Sequence, residues 1–146
     1  MPVVTPVSPL PAGLHDAPDP FADARLLDRL LDRLCAMDDA AIDALDLGVV
    51  GFGADGLVLR YNAFEARRSG LGRDEVVGLH LFTQVAQCMN NYLVAQRFEE
   101  ARERGEPLDD TIDYVLTLRM RPIKVKLRLL ATPGQVLRHV LVLRKA

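Results

Sequence analysis

Hydrophobic residues recur at helical spacing in the first quarter of the chain. Between residues 22 and 37, leucines form one apolar stripe, and aspartates and arginines fall on the other side of the helix. The leucines are Leu26, Leu27, Leu30, Leu31 and Leu34. This spacing predicts an amphipathic helix over 22–37. Its apolar face either packs on the rest of the domain, which is the commoner role, or serves dimerisation or signal coupling.

Short apolar runs predict a β-hairpin and three further strands. The runs 47–52 and 57–59 flank the turn sequence Ala54-Asp55-Gly56, which is typical of a hairpin. The segments 111–120, 123–130 and 136–143 carry apolar residues in strand-like patterns. We therefore expect an antiparallel sheet of five strands with one packed face.

The region between the hairpin and the last three strands has helical signals. Glycines interrupt residues 62–81, so this stretch supports only short helical turns and loops. Residues 84–104 contain good helix formers and end at Gly105 and Pro107, which predicts one longer helix. The order of elements predicts a single α+β domain with helices on one side of the sheet and an N-terminal helical extension.

Composition and charge favour one soluble, cytoplasmic domain. Six of the nine prolines lie in residues 1–21, which predicts a mobile arm. The formal net charge of the 146 residues is only -2, so we expect no nucleic-acid partner. The basic residues that alternate along the strands are interpreted as a solvated sheet face; they are Arg119, Arg121, Lys124, Lys126 and Arg128. No apolar run is long enough to cross a bilayer, so no membrane association is expected.

The sequence contains no motif that indicates an enzyme or a metal site. A glycine-rich phosphate loop, a nucleophile elbow and a paired-carboxylate motif are all absent, so we expect no enzymatic activity. The three histidines, His15, His80 and His139, are scattered, and Cys35 and Cys88 are far apart. Neither set has the spacing of metal ligands or of a disulfide framework, which fits a reducing compartment.

Short motifs from Met37 to the C-terminus resemble those of a known family. They are Met37-Asp38-Asp39, Tyr61-Asn62-Ala63, Glu65, Ser69-Gly70, Val76-Val77-Gly78, Val85-Ala86-Gln87-Cys88, Met120-Arg121-Pro122 and Lys124-Val125-Lys126. Taken together at these intervals, they resemble the photoactive yellow protein family of PAS domains. The resemblance implies one PAS domain over 38–146, preceded by the helix over 22–37 and the arm over 1–21.

The resemblance also implies a blue-light photoreceptor that carries p-coumaric acid. In that family a cysteine holds this chromophore as a thioester, and the matching residue is Cys88. Tyr61 and Glu65 would hydrogen-bond the phenolic oxygen, and Ser69, where the family usually has threonine, would support Tyr61. Light would isomerise the chromophore, and Glu65 would pass a proton to it. The signal would reach an unidentified downstream protein, or a second copy of the chain through the helix over 22–37.

This chemistry has physical requirements that the matching residues can meet. A buried phenolate is costly unless hydrogen-bond donors replace its water, and Tyr61 with a protonated Glu65 would supply them. A carboxyl group stays neutral at pH 7 where burial and a neighbouring negative charge both disfavour its ionisation. Thioester formation favours a partly exposed thiol at the start of a helix, where we expect Cys88 to lie.

Several positions depart from the family pattern and favour a second hypothesis. Leu71 replaces an arginine, with Arg73 two residues later as the candidate substitute; Gln87 replaces a proline; and aromatic residues are replaced by Leu81, Leu116 and Leu118. The second hypothesis is a PAS module of the same ancestry that has lost the chromophore and binds a protein partner or another small apolar ligand. The retained Tyr61, Glu65, Ser69 and Cys88 favour the photoreceptor.

Overall fold

Five antiparallel strands form one sheet, in the spatial order β2-β1-β5-β4-β3. The strands are β1 Gly48–Phe52, β2 Val58–Tyr61, β3 Leu108–Leu116, β4 Ile123–Ala131 and β5 Arg138–Arg144. The hairpin β1-β2 joins the meander β3-β4-β5 through the pairing of β1 with β5. The predicted α+β fold with a five-stranded antiparallel sheet is confirmed.

The structure, a computed structural model, describes residues 33–117 and 122–144. The predicted arm over 1–21 and most of the predicted helix over 22–37 lie outside the described residues, as does Leu118. Residues 33–36 are helical. Within the described ranges, the structure contains no helix with both the length and the apolar content that crossing a membrane requires.

The helices between the strands are short. They are α1 Asp39–Asp43, α2 Ala63–Ser69, α3 Arg73–Val76, a π-helical turn Leu81–Val85, a 3-10 turn Gln87–Met89 and α4 Ala95–Arg104. The prediction of short helical turns over 62–81 is confirmed, with α2 capped by the Asn62 side chain, which accepts from the Glu65 amide. Gly70, with φ of 78°, ends α2 in the left-handed conformation that favours glycine.

The predicted single helix over 84–104 is wrong in its first half, because α4 begins only at Ala95. The side chain of Asn91 accepts hydrogen bonds from the amides of Leu93 and Val94, at 3.0 and 3.2 Å. A continuous helix would need those amides for carbonyls one turn earlier, so the local side-chain bonds compete with it. Before Asn91, the chain forms the separate turns Leu81–Val85 and Gln87–Met89.

Two apolar clusters lie on the two faces of the sheet, because alternate residues of each strand point to opposite sides. The larger cluster packs α2, α3, α4 and the intervening turns on one face, which we call the helix face. The smaller cluster, on the opposite face, contains Leu34, Val49, Leu130 and Leu141. Leu34 thus brings the end of the N-terminal helix onto that opposite face.

Buried polar groups fix this opposite face. Arg60 on β2 donates to the carbonyl oxygen of Leu34 at 2.5 Å and to that of Met37, and its Nη1 lies 3.4 Å from His139 Nε2. These bonds tie the end of the N-terminal helix, and the residue that follows it, to β2; the Leu34 carbonyl oxygen also accepts from the Met37 amide at 3.2 Å.

Of the alternating basic residues interpreted as a solvated sheet face, Arg119 and Arg121 lie outside the described residues, and the interpretation holds for only part of the rest. Lys124 and Lys126 are exposed, but Arg128 is only 2% exposed. Its Nε and Nη2 each donate to a carboxylate oxygen of Asp109 at 2.8 Å. The interpretation is wrong for Arg128 because the neighbouring strand supplies a carboxylate that pairs the buried guanidinium.

Candidate functional site

Tyr61 and Ser69 meet at one edge of the helix face. Tyr61 ends β2, and α2 turns the chain back so that Ser69, one helix length later, lies 2.7 Å from the Tyr61 hydroxyl. Both side chains are buried. Burial raises the pKa of Tyr61 to about 12, against the effect of the Ser69 hydrogen bond and with the help of the negative charge of Glu65. Tyr61 is therefore a neutral phenol throughout the physiological pH range.

Glu65 lies in the first turn of α2 and forms a buried ion pair with Arg144 of β5. Arg144 Nη2 donates to Glu65 Oε2 at 2.8 Å, and Nη1 donates to Oε1. The two side chains are only 3% and 7% exposed, respectively. A β-carbon added at Gly48 of β1 would lie 2.1 Å from Glu65 Oε1, so the glycine makes room for the carboxylate. The two opposite charges cancel, so Glu65 and Arg144 together add no net charge to this buried site.

Arg144 is the site residue that the sequence analysis missed. Its Nε is buried and has no hydrogen-bond partner among the described residues. A signal was available: Arg144 continues the alternation of Val140 and Val142, whose side chains belong to the helix-face cluster. A charged residue at a packed-face position requires a buried partner. The predicted strand ended at residue 143, one residue too early to include it.

Cys88 lies in the 3-10 turn Gln87–Met89, half-buried against the helix-face cluster. Its carbonyl oxygen accepts hydrogen bonds from the Tyr114 hydroxyl at 2.5 Å and from Asn91 Nδ2 at 3.2 Å. These bonds from β3 and the following loop fix the turn. Cys88 was expected at the start of a helix; it is the second residue of this 3-10 turn, and α4 starts seven residues after it, at Ala95.

Arg73 bonds the backbone of Tyr61 and not its hydroxyl. Its Nε donates to the backbone carbonyl of Tyr61 at 2.8 Å, and its guanidinium pairs with Asp43 of α1. The pKa of the Asp43 carboxyl is held below its usual value, mainly by this hydrogen bond. Leu71, where the family has arginine, packs against the helix-face cluster. Tyr61, Ser69, Glu65 and Arg144 are therefore together, whereas the Arg73 guanidinium is outside the group.

An open cavity of about 780 Å³ lies at the end of β3, the start of β4 and the end of β5, and residues of both faces of the sheet line it. Its lining includes Arg144, which binds Glu65, and Tyr114, which binds the Cys88 carbonyl. In the sheet, Tyr114 pairs with Val125, and Val125 pairs with Arg144. The two residues are thus separated by two strand spacings, about 10 Å, on the same face.

Known proteins share sequence and fold with this chain. The chain is 31% identical to the photoactive yellow protein of Rhodothalassium salexigens over 102 residues, which cover 70% of this chain and 81% of that protein. The crystal structure of the photoactive yellow protein domain of the sensor histidine kinase Ppr from Rhodospirillum centenum superposes with a TM-score of 0.68 at 30% identity, covering 83% of this chain and 98% of that one. The PAS domain of BvgS from Bordetella pertussis, at 17% identity and a TM-score of 0.52, covers 80% of this chain and 86% of that one and shares the fold. No family model matches the chain.

Proposed function

Because the chain belongs to the photoactive yellow protein family and has its PAS fold, we propose that it is a cytoplasmic blue-light photoreceptor with p-coumaric acid on Cys88 as a thioester. The observation that carries this proposal is the buried polar group on the helix face, in which Tyr61 bonds Ser69 and Glu65 pairs with Arg144. Cys88 is half-buried against the same apolar cluster to which Tyr61 belongs. A sulfur for attachment and polar groups for a phenolic oxygen are therefore carried by one face of the sheet.

The buried polar residues of the helix face offer partners for such a chromophore. Arg144 pairs there with Glu65, and its Nε has no partner among the described residues. Tyr61 stays a phenol and can donate a hydrogen bond, since its pKa is raised to about 12. When bound, p-coumaric acid would supply visible absorption and light-driven isomerisation of its double bond. Attachment would require the Cys88 thiol to act as the nucleophile.

Ser69 and Glu65 would have different roles. Ser69 positions the Tyr61 hydroxyl through their 2.7 Å hydrogen bond, and also accepts from the Leu71 amide at 3.1 Å. Glu65 is our candidate for the residue that holds and releases a proton. As a carboxylate paired with Arg144 it can only accept hydrogen bonds, so this role requires that it be protonated when the chromophore is bound.

Output from the site would pass through β2 to the opposite face of the sheet. Tyr61 belongs to the helix face, and the preceding Arg60 holds the carbonyl oxygens of Leu34 and Met37. A shift of Tyr61 would move Arg60 and loosen the end of the N-terminal helix. We propose that this helix then signals to a downstream protein or to a second copy of the chain.

A second candidate function is a PAS module without chromophore that binds a protein partner or another small apolar ligand. It is favoured by the Glu65–Arg144 ion pair, which neutralises the carboxylate within the protein itself. It is also favoured by Leu116, only 2% exposed, at a position where the family has an aromatic residue. A module that binds a different molecule would need neither a free Glu65 carboxyl nor an aromatic residue at position 116.

Loading with activated p-coumaric acid separates the two functions. The full chain, Cys88→Ala and Cys35→Ala would be treated in parallel, and intact mass and visible absorption recorded. Cys35 is a matched control because it is also half-buried but packs with the smaller cluster on the opposite face. We expect the wild type and Cys35→Ala to gain one chromophore and turn yellow, and Cys88→Ala to remain unchanged. No mass gain in the wild type, or equal gain in Cys88→Ala, would reject the photoreceptor.

A further inference from the structure

We propose that Arg138, at the start of β5, is the centre of a second ligand site, which binds a small carboxylate with an apolar body. The site lies between α4 and the turn that joins β4 to β5. Arg138 and Arg144 are six residues apart on β5, which places them about 20 Å from each other along the strand. This inference therefore goes beyond the proposed function, and neither Glu65 nor Cys88 takes part in it.

Arg138 is an arginine on the packed helix face that has no partner. It pairs with Phe52 of β1 in the sheet, so its side chain lies on the same face as the Phe52 ring. The side chain forms no hydrogen bond and no ion pair within residues 33–117 and 122–144. Nη1 is the only one of its nitrogens that is both buried and unpartnered, so Nε and Nη2 remain accessible. A buried guanidinium N–H without an acceptor is unfavourable.

The other two arginines of β4 and β5 show what such a side chain binds in this fold. Arg128 donates from Nε and Nη2 to Asp109, each at 2.8 Å, and Arg144 pairs with Glu65. Both arginine side chains are buried, and both have a carboxylate partner. Arg138 offers the same two nitrogens, Nε and Nη2, and no carboxylate of the described residues binds them. A planar carboxylate fits this edge of a guanidinium with two parallel hydrogen bonds.

A cavity of about 250 Å³ beside Arg138 gives such a carboxylate a place. The turn 132–135 supplies a second polar group, because the hydroxyl oxygen of Thr132 is buried without a partner among the described residues. The Gln135 amide closes this turn by donating to the Thr132 carbonyl oxygen at 3.0 Å. The volume is smaller than that of sites for drug-sized ligands, so the ligand must be small. Its body would contact the apolar lining residues, which are Phe98, Ala101, Ala131 and Pro133.

The charged neighbours favour this cavity over an adjacent one. A second cavity of about 200 Å³ also borders Arg138, but the carboxylates of Asp55 and Glu99 line it and repel an anion. In the first cavity the charges of Arg102 and Glu106 oppose each other. All four of these side chains are exposed, so solvent screens them, whereas the Arg138 guanidinium is partly desolvated. An anion is therefore bound more favourably in the first cavity.

The carbonyl end of α4 is a weaker explanation for the position of Arg138. A helix C-terminus carries partial negative charge and favours a nearby cation, and Arg102 and Gly105 of this helix end line the cavity. The amides of Gly105 and Glu106 already donate to the last carbonyl oxygens. No carbonyl oxygen of the described residues accepts a hydrogen bond from the Arg138 side chain. The helix end thus attracts the cation but leaves its N–H groups without acceptors.

Benzoate is the probe for this site, because it joins a carboxylate to a small apolar ring and does not acylate cysteine. Calorimetric titration of the full chain gives its affinity, and benzamide serves as an uncharged ligand of similar shape. We expect saturable binding of benzoate by the wild type and weaker binding of benzamide. Arg138→Gln should weaken benzoate binding by about tenfold or more, and Thr132→Val, which removes only the hydroxyl, by about threefold.

Arg104→Gln is the matched control, because Arg104 is an exposed residue of α4 that does not line the cavity. It removes the same charge and should change the benzoate affinity by less than about twofold. Arg138→Lys keeps the charge but lacks the two-pronged guanidinium edge. Its benzoate affinity should therefore lie between those of the wild type and Arg138→Gln. Circular dichroism confirms that each variant is folded.

Four results would overturn the inference. They are no saturable benzoate binding by the folded wild type, equal affinity in the wild type and Arg138→Gln, benzamide binding as tight as benzoate, and inorganic phosphate binding as tight as benzoate. Benzoate that bound instead at the site of Tyr61 and Glu65 would give the second result. Loading of Cys88 with p-coumaric acid is a separate measurement, so its failure would reject the photoreceptor and leave the Arg138 site intact.

Discussion

The buried histidine of β5 makes the stability of this domain sensitive to mild acid. His139 is fully buried on the face opposite the helices, and its Nδ1 has no hydrogen-bond partner among the described residues. Burial, with a smaller contribution from the positive charge of Arg60, lowers the pKa of His139 to about 3. The folded protein therefore keeps this imidazole neutral at any pH above about 3.

The sign and size of the effect follow from the unfolded state. A solvated histidine has a pKa of about 6.5, so below that pH the unfolded chain binds a proton that the folded domain cannot accept. Stability is complete above about pH 6.5 and falls as the pH decreases towards 3. The slope approaches about 1.4 kcal/mol per pH unit, which amounts to about 2 kcal/mol lost at pH 5. That is a large part of the total stability of a small domain.

Urea unfolding of three proteins between pH 8 and pH 5 measures how much His139 contributes to the pH dependence of the free energy of unfolding. The proteins are the wild type, His139→Gln and Val140→Ala, where Val140 is a buried, non-titrating neighbour on the same strand. We expect the wild type and Val140→Ala to lose stability in parallel, since a cavity costs the same at each pH. His139→Gln should lose about 2 kcal/mol less over this range. Parallel curves for the wild type and His139→Gln would refute the reasoning.

Two other substitutions test the buried ion pairs. Asp109→Asn leaves Arg128 buried without a carboxylate and should lower the free energy of unfolding by about 3–5 kcal/mol in urea denaturation, whereas Asp113→Asn, at an exposed pair, should cost less than about 1 kcal/mol. Gly48→Ala places a β-carbon 2.1 Å from Glu65 Oε1, so it should displace the carboxylate from its arginine and cost about 1–3 kcal/mol; unchanged stability and an unchanged infrared carboxylate band would contradict this.

The sequence predicted the strands better than the helices because their signals differ in kind. Apolar alternation over 111–120 and 123–130 reflects one packed face, and the pairing of β3 with β4 preserves that face along nine residues. The helix predicted over 84–104 depended on helix propensity alone. Propensity is a weak signal, and the amide bonds of Leu93 and Val94 to the Asn91 side chain outweighed it.

Local spacing also explains which parts of the site were predictable. Tyr61 and Ser69 are eight residues apart, joined by one short helix, so a family motif captures their contact. Glu65 and Arg144 are 79 residues apart and meet only because β5 pairs with β1 at Gly48. Such a contact depends on strand register, which the sequence alone does not specify for distant strands. The ion pair was therefore missed.

The light response of the loaded protein tests the photoreceptor most directly. The full chain treated with activated p-coumaric acid is illuminated with blue light, and its visible absorption is followed during illumination and in the dark. Our account predicts that the visible band decreases in the light and recovers in the dark, and that Cys88→Ala treated in the same way shows no such band. A Cys88-linked chromophore whose spectrum does not change in blue light would contradict the account.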